Sequence, residues 1–302
     1  MTVQMIPPDS NNIQLLVLDL DGTLVDKSDR IHEADLESIR RIQQQGVAVA
    51  VATGRGIELS LPAYKLIGSS LPLICYGGAL IKEPDTDLVH RHWSLQRPVA
   101  QQVLDYAERQ DDRLSVHFYV ENSLYVSNLN NATVEYFAGS RIVPRVASNL
   151  RPLLGQEITK VRVLGDDAAA ITPLFNEMEH APCRTRLKNY RSLTYLEMDH
   201  PEVNKRLAVS YLAEHILGLR AENVMAIGDD LSDIEMLQYA RIGVAMGNAP
   251  EAVRSAADWV TTGFEEYGVA RAIETWIPSV CAPYLCASAV IYHRDAETAE
   301  VV

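Results

Sequence analysis

The chain has 302 residues, of which 47% are hydrophobic and 22% charged; this predicts about two globular domains and excludes disordered, collagen-like and low-complexity classes. Its 27 basic and 40 acidic residues give a net charge of −13. Because so acidic a chain repels phosphate backbones and anionic lipids, we expect neither a nucleic acid nor a membrane as its partner, and an anionic ligand would need a local cation.

The first eighty residues alternate short apolar strands with a helix. We predict strands at residues 15–20, 47–52 and 71–76, and a helix at 33–45. An apolar run such as Leu-Leu-Val-Leu that ends in Asp or Gly is typical of a strand buried on both faces of a parallel sheet. The order strand, helix, strand therefore predicts an α/β domain with a parallel sheet.

A different pattern begins near residue 81. Two strands flank Glu121-Asn122 and predict a hairpin. Apolar spacing predicts further strands and two helices, which gives elements at 114–120, 123–127, 132–139, 158–164, 168–180 and 192–198. Hairpins mixed with helices favour an antiparallel α+β unit that is inserted into the first domain.

The buried-strand pattern returns after Pro201. Helices and strands alternate again, with a helix at about 204–219, strands at 223–227, 242–245 and 258–260, and a short helix that opens at residue 231. We therefore predict a discontinuous core, residues 1–81 and 200–302, and an inserted α+β domain, residues 82–199. No pattern predicts the oligomeric state or a role for the tail after Trp276.

The cysteines indicate reduced thiols. They form no C-x-x-C pair and are too few for a disulfide framework; they are Cys75, Cys183, Cys281 and Cys286. Residues 1–12 carry no signal-peptide pattern, and the apolar stretch at 280–292 is too short to span a bilayer. We therefore expect a cytoplasmic protein without a transmembrane segment.

The clearest chemical feature is the loop Asp19-Leu-Asp21-Gly-Thr at the end of the first strand. Residues two apart in a strand point to the same side, and ligands of open α/β sheets bind beyond the carboxyl ends of the strands. Carboxylates this close repel each other unless a cation lies between them or one is protonated. The pair therefore suits Mg²⁺, or a nucleophile beside an acid/base. A turn or helix cap would explain Asp-Gly but not Asp19.

Two weaker features lie in the same predicted domain. Thr53-Gly54-Arg55 follows the second strand, and its hydroxyl and backbone N–H groups could hold phosphate oxygens, although an ordinary turn is the simpler interpretation. Lys205 begins a helix, where the helix dipole favours an anion. Either a bound anion or a solvated surface position would explain that lysine.

A second acidic loop, Gly-Asp229-Asp230-Leu-Ser232-Asp233, follows a later strand. It supplies carboxylates for a metal, although Asp230 or Ser232 could instead cap the following helix. Together with the earlier features, it completes a set suited to phosphoryl transfer: a nucleophile, an acid/base, phosphate-binding groups, a cation and a metal site.

These motifs resemble those of the haloacid dehalogenase superfamily, and more closely its Cof-type, subfamily IIB phosphatases. The resemblance covers roughly residues 13 to 275. It implies a Rossmann-like core with an α+β cap between the second and third motifs. The matching segments are Asp19-Leu-Asp-Gly-Thr, Ala52-Thr-Gly-Arg, Lys205, Gly228-Asp-Asp-Leu-Ser-Asp and Ala245-Met-Gly-Asn-Ala.

The resemblance also implies roles for the matching residues. Asp19 would be the nucleophile that forms an aspartyl-phosphate, and Asp21 would protonate the leaving alcohol and then activate water. The implied phosphate-binding groups are Thr53, Gly54, Lys205 and Ser232. The implied Mg²⁺ ligands are Asp19, the Asp21 backbone carbonyl and Asp229, supported by Asp233 and Asp230.

The leading interpretation is thus a Mg²⁺-dependent phosphatase for a small phosphorylated metabolite, such as a sugar phosphate. A phosphomutase would form the same aspartyl-phosphate but return the phosphoryl group to a sugar. A non-catalytic binding or regulatory protein would explain two departures from the family pattern: Ser232, where Asn is common, and Gly77-Gly-Ala, where Asn-Gly-Ala is common. Because the acidic loops and the lysine are intact, we favour the phosphatase.

Histidines and tyrosines give weaker predictions. His90 and His92 could share a strand face, but the eight histidines form no metal-binding pattern. Tyr119, Tyr125 and Tyr136 could line a substrate pocket, and we favour core positions for them. We also expect the inserted domain to close over the site and exclude water.

Overall fold

The computed structural model describes most of the chain, namely residues 12–110, 113–138, 142–190 and 192–278. Several sequence predictions fall outside the described residues: the N-terminal segment up to residue 11, the apolar stretch at 280–292, and the cysteines Cys281 and Cys286. Within the described part of the chain, no helix has both the length and the apolar character needed to cross a bilayer.

The helices and strands form three consecutive groups. The first contains β1 (Leu15–Leu18), α1 (Glu33–Gln44), β2 (Ala48–Val51), α2 (Ile57–Leu66), β3 (Leu73–Cys75), β4 (Leu80–Lys82) and β5 (Val89–His92). The second contains α3 (Arg97–Ala107), β6 (Leu114–Val120), β7 (Ser123–Val126), α4 (Asn131–Phe137), β8 (Arg145–Val146), β9 (Ile158–Gly165), α5 (Ala168–Met178), β10 (Arg184–Tyr190) and β11 (Leu193–Asp199). The third contains α6 (Lys205–Tyr211), β12 (Val224–Gly228), α7 (Ile234–Tyr239), β13 (Ile242–Ala245), α8 (Glu251–Ala256), β14 (Trp259–Val260) and α9 (Gly268–Trp276).

The core is a parallel sheet in the order β14–β13–β12–β1–β2. The central strand β1 pairs in parallel with both β12 and β2, and all four of its residues are buried. A strand covered on both faces needs apolar side chains at every position, which is why its sequence is a continuous apolar run. The predicted parallel α/β core is therefore confirmed, and the carboxyl ends of β1, β2 and β12 meet at one edge.

Three sequence-predicted elements differ from the structure. Strand β1 ends two residues early, because the Leu20 carbonyl accepts backbone hydrogen bonds of a turn. Strand β3 does not extend the parallel sheet: it pairs antiparallel with β4 and touches the core sheet through one bridge, Ala52 to Ile74. Positive φ angles at 76–78 reverse the chain there. The helix predicted to residue 219 leaves α-helical geometry after Tyr211 and continues as a π-helical turn.

The inserted segment forms an antiparallel sheet with helices, as predicted. Its strand order is β10–β11–β9–β6–β7–β8, with only β7 and β8 parallel. Side chains alternate between its two faces. Phe118 and Val163 belong to the apolar face, which packs against Val103 of α3 and Leu174 of α5. The opposite face carries polar, charged and aromatic side chains.

Buried apolar residues of the described chain form a large core cluster, which also includes Tyr119, Leu124 and Val126 of the inserted segment, and two smaller clusters within the inserted segment. Strand β5 pairs with β4, and Trp93 still packs in the core cluster, whereas Leu95 belongs to one of the smaller clusters. The division at residues 82 and 200 stays a prediction. The packing of Trp93 shows that contact with the core continues beyond residue 82.

Candidate active site

The candidate site lies beyond the carboxyl ends of β1, β2 and β12. Asp19 follows β1, is 4% exposed, and donates its backbone N–H to the Ile227 carbonyl of β12. Lys205 is the first residue of α6 and only 2% exposed. Its Nζ lies 2.5 Å from Asp19 Oδ1 and 2.6 Å from Asp233 Oδ1. A solvated surface position for Lys205 is therefore excluded.

The second acidic loop brings Asp229 and Asp233 to the same place. Asp229 Oδ1 accepts a hydrogen bond from Thr23 Oγ1 at 2.7 Å, and Asp229 Oδ2 accepts one from Asn248 Nδ2 at 3.3 Å. Asp233 Oδ2 accepts from the backbone N–H groups of Asp229 and Asp230, at 3.0 and 2.9 Å. Asp233 thus fixes the loop with one oxygen and binds Lys205 with the other.

The donor set of this site fits a divalent cation. Carboxylate oxygens of Asp19, Asp229 and Asp233 all lie within 4.8 Å of one another. Burial raises the pKa of Asp19 well above its usual value against the opposing effect of Lys205, and burial raises the pKa of Asp229 to about 6. Burial alone would lower the pKa of Lys205, but the two carboxylates beside it raise that pKa. Two buried carboxyl groups therefore share one ammonium group, and the half-buried Asp229 adds a third carboxyl group beside them. An excess of carboxylates over cations suits an oxygen-liganded metal.

Gly22 allows the first acidic loop to pack against Asp229. Its φ is +83°, and a Cβ at this position would lie 2.3 Å from Asp229 Oδ2. Its carbonyl accepts a hydrogen bond from Asn248 Nδ2 at 2.9 Å. Both the backbone conformation and the lack of space require glycine here.

The Asp21 carboxylate lies outside this group of three carboxylates. Its side chain is 61% exposed, and Arg55 Nη2 and Nε donate to its two oxygens at 2.5 and 2.9 Å. Arg55 Nη2 also lies 2.7 Å from an Asp29 oxygen. Arg55 belongs to the quoted Ala52-Thr-Gly-Arg segment, but its pairing with Asp21 was not predicted, because it joins side chains from two different loops.

The other predicted phosphate-binding groups lie around these loops. Thr53 is buried, and its hydroxyl accepts the Arg55 N–H at 3.2 Å, whereas Gly54 is exposed. Asp230 accepts the Ser232 N–H at 3.0 Å and caps a short 3-10 turn. The capping interpretation is therefore confirmed for Asp230. Ser232 is exposed, and its phosphate contact stays a prediction.

A cavity of about 610 Å³ lies between the core loops and the inserted segment. Its core side includes Asp21, Gly54 and Arg55. Its other side includes residues of β6, α4, β9 and β10, namely Tyr119, Tyr136, Lys160, Arg162 and Tyr190. The inserted segment therefore faces the first acidic loop, at Asp21, across this cavity.

A family model described as haloacid dehalogenase-like hydrolase matches residues 16–273 of this chain. The chain belongs to this family. It is 29% identical over 274 residues to the 5-amino-6-(5-phospho-D-ribitylamino)uracil phosphatase YitU of Bacillus subtilis (strain 168), which covers 87% of this chain and 97% of that protein. The resemblance to the haloacid dehalogenase superfamily is confirmed.

Solved structures agree with this assignment. A haloacid dehalogenase-like hydrolase from Bacteroides thetaiotaomicron shares 29% identity with a TM-score of 0.75, over 87% of this chain and 98% of that one. The subclass IIB sugar phosphatase BT4131 shares the fold, with 23% identity and a TM-score of 0.71 over 88% and 99% of the two chains. The predicted enzyme class, a phosphoric monoester hydrolase of the haloacid dehalogenase type, is confirmed at the level of the family.

The tyrosine prediction for this haloacid dehalogenase-like hydrolase was partly wrong. Tyr119 is buried but lines the cavity, and so does Tyr136, whose ring packs over the Arg162 guanidinium. Both rings lie at the cavity because they pack beside Arg162 on the polar face of the inserted sheet. Tyr125 instead packs against the apolar cluster of the inserted segment.

His90 and His92 of this hydrolase make local side-chain contacts. His90 Nε2 lies 2.9 Å from a Glu83 oxygen, and His92 Nε2 lies 2.9 Å from the Thr159 hydroxyl. Among the described residues, the group of three side chains placed to share a metal contains aspartates and no histidine.

Sequence reasoning missed the charged residues on the cavity side of the inserted sheet. Lys160 and Arg162 alternate with valine in β9, and Glu197 alternates with leucine and methionine in β11. That alternation was the available signal, since it marks a strand with one apolar and one polar face. The direction of the polar face depends on how the sheet packs.

Proposed function

We propose that this hydrolase is a Mg²⁺-dependent phosphatase that cleaves a small phosphorylated metabolite through an aspartyl-phosphate on Asp19. The observation that carries the proposal is the buried contact of Asp19 with Lys205, beside Asp229 and Asp233. Asp21, two residues after Asp19, lines the cavity. The phosphatase activity named for the relative YitU supports it.

Mg²⁺ would be held by the carboxylates of Asp19 and Asp229 and by the backbone carbonyl of Asp21. When bound, it would neutralise negative charge on the transferring phosphoryl group. Asp233 is occupied by Lys205 and two backbone N–H groups, which supports a positioning role for it.

In the first proposed step, the Asp19 carboxylate attacks phosphorus, the bond from phosphorus to the ester oxygen breaks, and the Asp21 carboxyl gives its proton to the leaving oxygen. Water then attacks the aspartyl-phosphate, Asp21 takes a proton from it, and the bond to Asp19 breaks as inorganic phosphate leaves. Arg55 donates to both Asp21 oxygens and thereby positions the Asp21 carboxyl group at the edge of the cavity.

The remaining groups would hold the phosphoryl oxygens. Lys205 supplies a positive charge beside Asp19, and Thr53 and the Gly54 backbone supply donors at the end of β2. The cavity of about 610 Å³ is of the size that holds small metabolites, which supports a substrate such as a sugar phosphate.

The proposal is tested with Asp19→Asn, assayed for phosphate release from a panel of phosphorylated metabolites with and without Mg²⁺. We expect activity to fall by about three orders of magnitude or more, because the nucleophile is removed. The exposed Asp85→Asn is the matched control. Mass spectrometry of wild-type enzyme quenched during turnover should find phosphate on the peptide that contains Asp19. Full activity in Asp19→Asn would contradict the covalent mechanism.

A further inference from the structure

One face of the inserted sheet concentrates basic side chains beside the cavity. Strands β9, β10 and β11 are adjacent, and their register places oppositely charged residues next to one another, with Arg186 and Arg162 both opposite Glu197, and Lys160 opposite Asp199. The charged residues of this face, which we call the basic face, are Lys160, Arg162, Arg186, Lys188, Glu197 and Asp199.

Glu197 is shared by all four cations of the basic face. It is fully buried, and its oxygens lie 2.8 to 3.3 Å from the nearest side-chain nitrogens of those four residues. Asp199 is the second acid, and it pairs with Arg186. Four cations therefore meet two carboxylates, so that the basic face keeps an excess of positive charge in a chain whose net charge is −13.

The two cations that line the cavity are also buried. Lys160 is 6% exposed and Arg162 is 9% exposed. The Arg162 guanidinium donates to Glu197 and to the Tyr119 hydroxyl, but its buried Nε has no hydrogen-bond partner among the described residues. Rings of Tyr119, Tyr136 and Tyr195 surround this guanidinium at 4.7 to 5.3 Å.

The core side of the cavity does not compensate this charge. Asp21 and Asp29 are both paired with Arg55, and Lys27 adds a further cation to the lining. Buried positive charge that nearby negative charge does not balance is costly. A positive excess that borders a cavity is therefore expected to be matched by an anionic part of the ligand.

We propose that the leaving group of the substrate carries a second anionic group, a carboxylate or a second phosphate, which binds Lys160 and Arg162 while the scissile phosphate ester lies at Asp19. This inference rests on the proposed phosphatase function and specifies its substrate class. The basic face then selects among phosphate esters by the charge of the leaving group.

The test compares matched esters with and without the second anion: 3-phosphoglycerate against glycerol 3-phosphate for a carboxylate, and fructose 1,6-bisphosphate against fructose 1-phosphate for a phosphate. We expect wild-type kcat/KM to be at least tenfold higher for the anionic member of one pair, and which pair shows this identifies the anion. Lys160→Met should lower that ratio about tenfold. The control Lys65→Met, which removes an exposed lysine of α2, should leave the ratio unchanged.

A second measurement does not depend on turnover of these esters. The same four compounds are tested as competitive inhibitors of p-nitrophenyl phosphate hydrolysis, where the anionic member should inhibit more strongly in wild type and lose that advantage in Lys160→Met. Thermal unfolding of each variant shows that it is folded.

The inference is overturned if wild type shows no preference within either pair in both assays, or if Lys160→Met weakens both members of a pair equally. An equal loss would mean that the basic face holds the transferred phosphoryl group or only stabilises the fold. These outcomes leave the phosphatase proposal intact provided that Asp19→Asn abolishes turnover. If Asp19→Asn stays active, the proposed function fails instead.

Discussion

At the residue scale, Lys205 is the group on which the buried part of the site depends. Its ammonium group donates to Asp19 and Asp233, which are both buried and would otherwise repel each other. Removal of one partner from a buried ion pair leaves an uncompensated charge, which is far costlier than the loss of a surface pair.

We expect Lys205→Met to lower the free energy of unfolding by about 3 kcal/mol, and to abolish activity. Urea denaturation in EDTA measures this effect. Arg40→Met is the control, since Arg40 pairs with Glu33 at 2.8 Å, both side chains are exposed, and such a pair is worth less than about 1 kcal/mol. Equal losses in the two variants would show that the Lys205 pairs add nothing beyond a surface contact.

A comparison of Gly22 with Gly46 tests the importance of the close contact between Gly22 and Asp229. Both have positive φ, +83° and +90°, but an added Cβ would meet Asp229 at Gly22 and no atom within 4 Å at Gly46. Gly46→Ala should cost about 1–2 kcal/mol of stability from backbone strain alone, with normal activity. Gly22→Ala should cost more and lose most phosphatase activity. Unfolding curves and kcat/KM check both, and normal kcat/KM in Gly22→Ala would refute the importance of this contact.

At the element scale, the strands that could be predicted are those whose environment is uniform. Strands β1, β2, β12 and β13 are buried on both faces, so that their apolar runs identify them without any knowledge of the partner strands. Strand β3 was correctly predicted as a buried strand, but its antiparallel pairing with β4 was not, because that pairing depends on a chain reversal at 76–78, where Tyr76 itself has a positive φ of 54°. No local pattern marks that residue as a turn.

The same limit applies to the site. Asp19, Asp229 and Lys205 could be found because each follows a buried strand or begins a helix, and loops at one edge of a parallel sheet converge. The bidentate pairing of Arg55 with Asp21 and the direction of the basic face could not be found. Both depend on side-chain contacts between segments that are distant in the chain.

A buried carboxyl group lies where helices α1 and α9 meet, and it predicts how the free energy of unfolding depends on pH. Asp35 of α1 is buried and accepts the Ala270 N–H of α9 at 2.7 Å. Burial raises the pKa of Asp35 against the opposing effect of this hydrogen bond. The folded protein therefore binds the proton more tightly than the unfolded chain, and the free energy of unfolding falls as pH rises from about 4 to the raised pKa.

Asp35→Asn should remove this contribution, because asparagine keeps an acceptor for Ala270 but does not ionise. Urea denaturation at several pH values above 4 measures the difference in unfolding free energy between wild type and variant. As pH rises, the free energy of unfolding of the variant should increase relative to that of wild type. A difference that is constant with pH would show that burial does not raise the pKa of Asp35.

At the scale of the whole molecule, charge is distributed unevenly about the cavity. The acidic loops of the core contribute buried carboxylates on one side, and the basic face contributes cations on the other. The net charge of −13 therefore does not indicate the local charge of either the acidic loops or the basic face. The sequence-based exclusion of polyanionic partners concerns the molecule seen from a distance, whereas ligand choice depends on these two local surfaces.

Divalent-metal binding should be visible in the stability of the whole molecule. A ligand present at 100 times its Kd stabilises the folded state by about 2.7 kcal/mol, which corresponds to a rise in Tm of roughly 5 °C for a chain of this size. We expect Mg²⁺ to raise Tm by that amount in wild type and in Asp85→Asn, and to have no effect in Asp229→Asn. Calorimetry with EDTA and with Mg²⁺ checks this. An undiminished rise in Asp229→Asn would place the metal elsewhere.

The chain leaves the core and returns to it beside the same short segment. The Trp93 N–H donates to the Ala79 carbonyl at 2.8 Å, and the adjacent Gly78 packs so closely on the Asn204 carbonyl that a Cβ would lie 2.3 Å away. The two crossing points are thus neighbours, although more than a hundred residues separate them in sequence. Because the two crossing points lie together, the length of the region between them does not determine the distance that the chain must span on its return to the core.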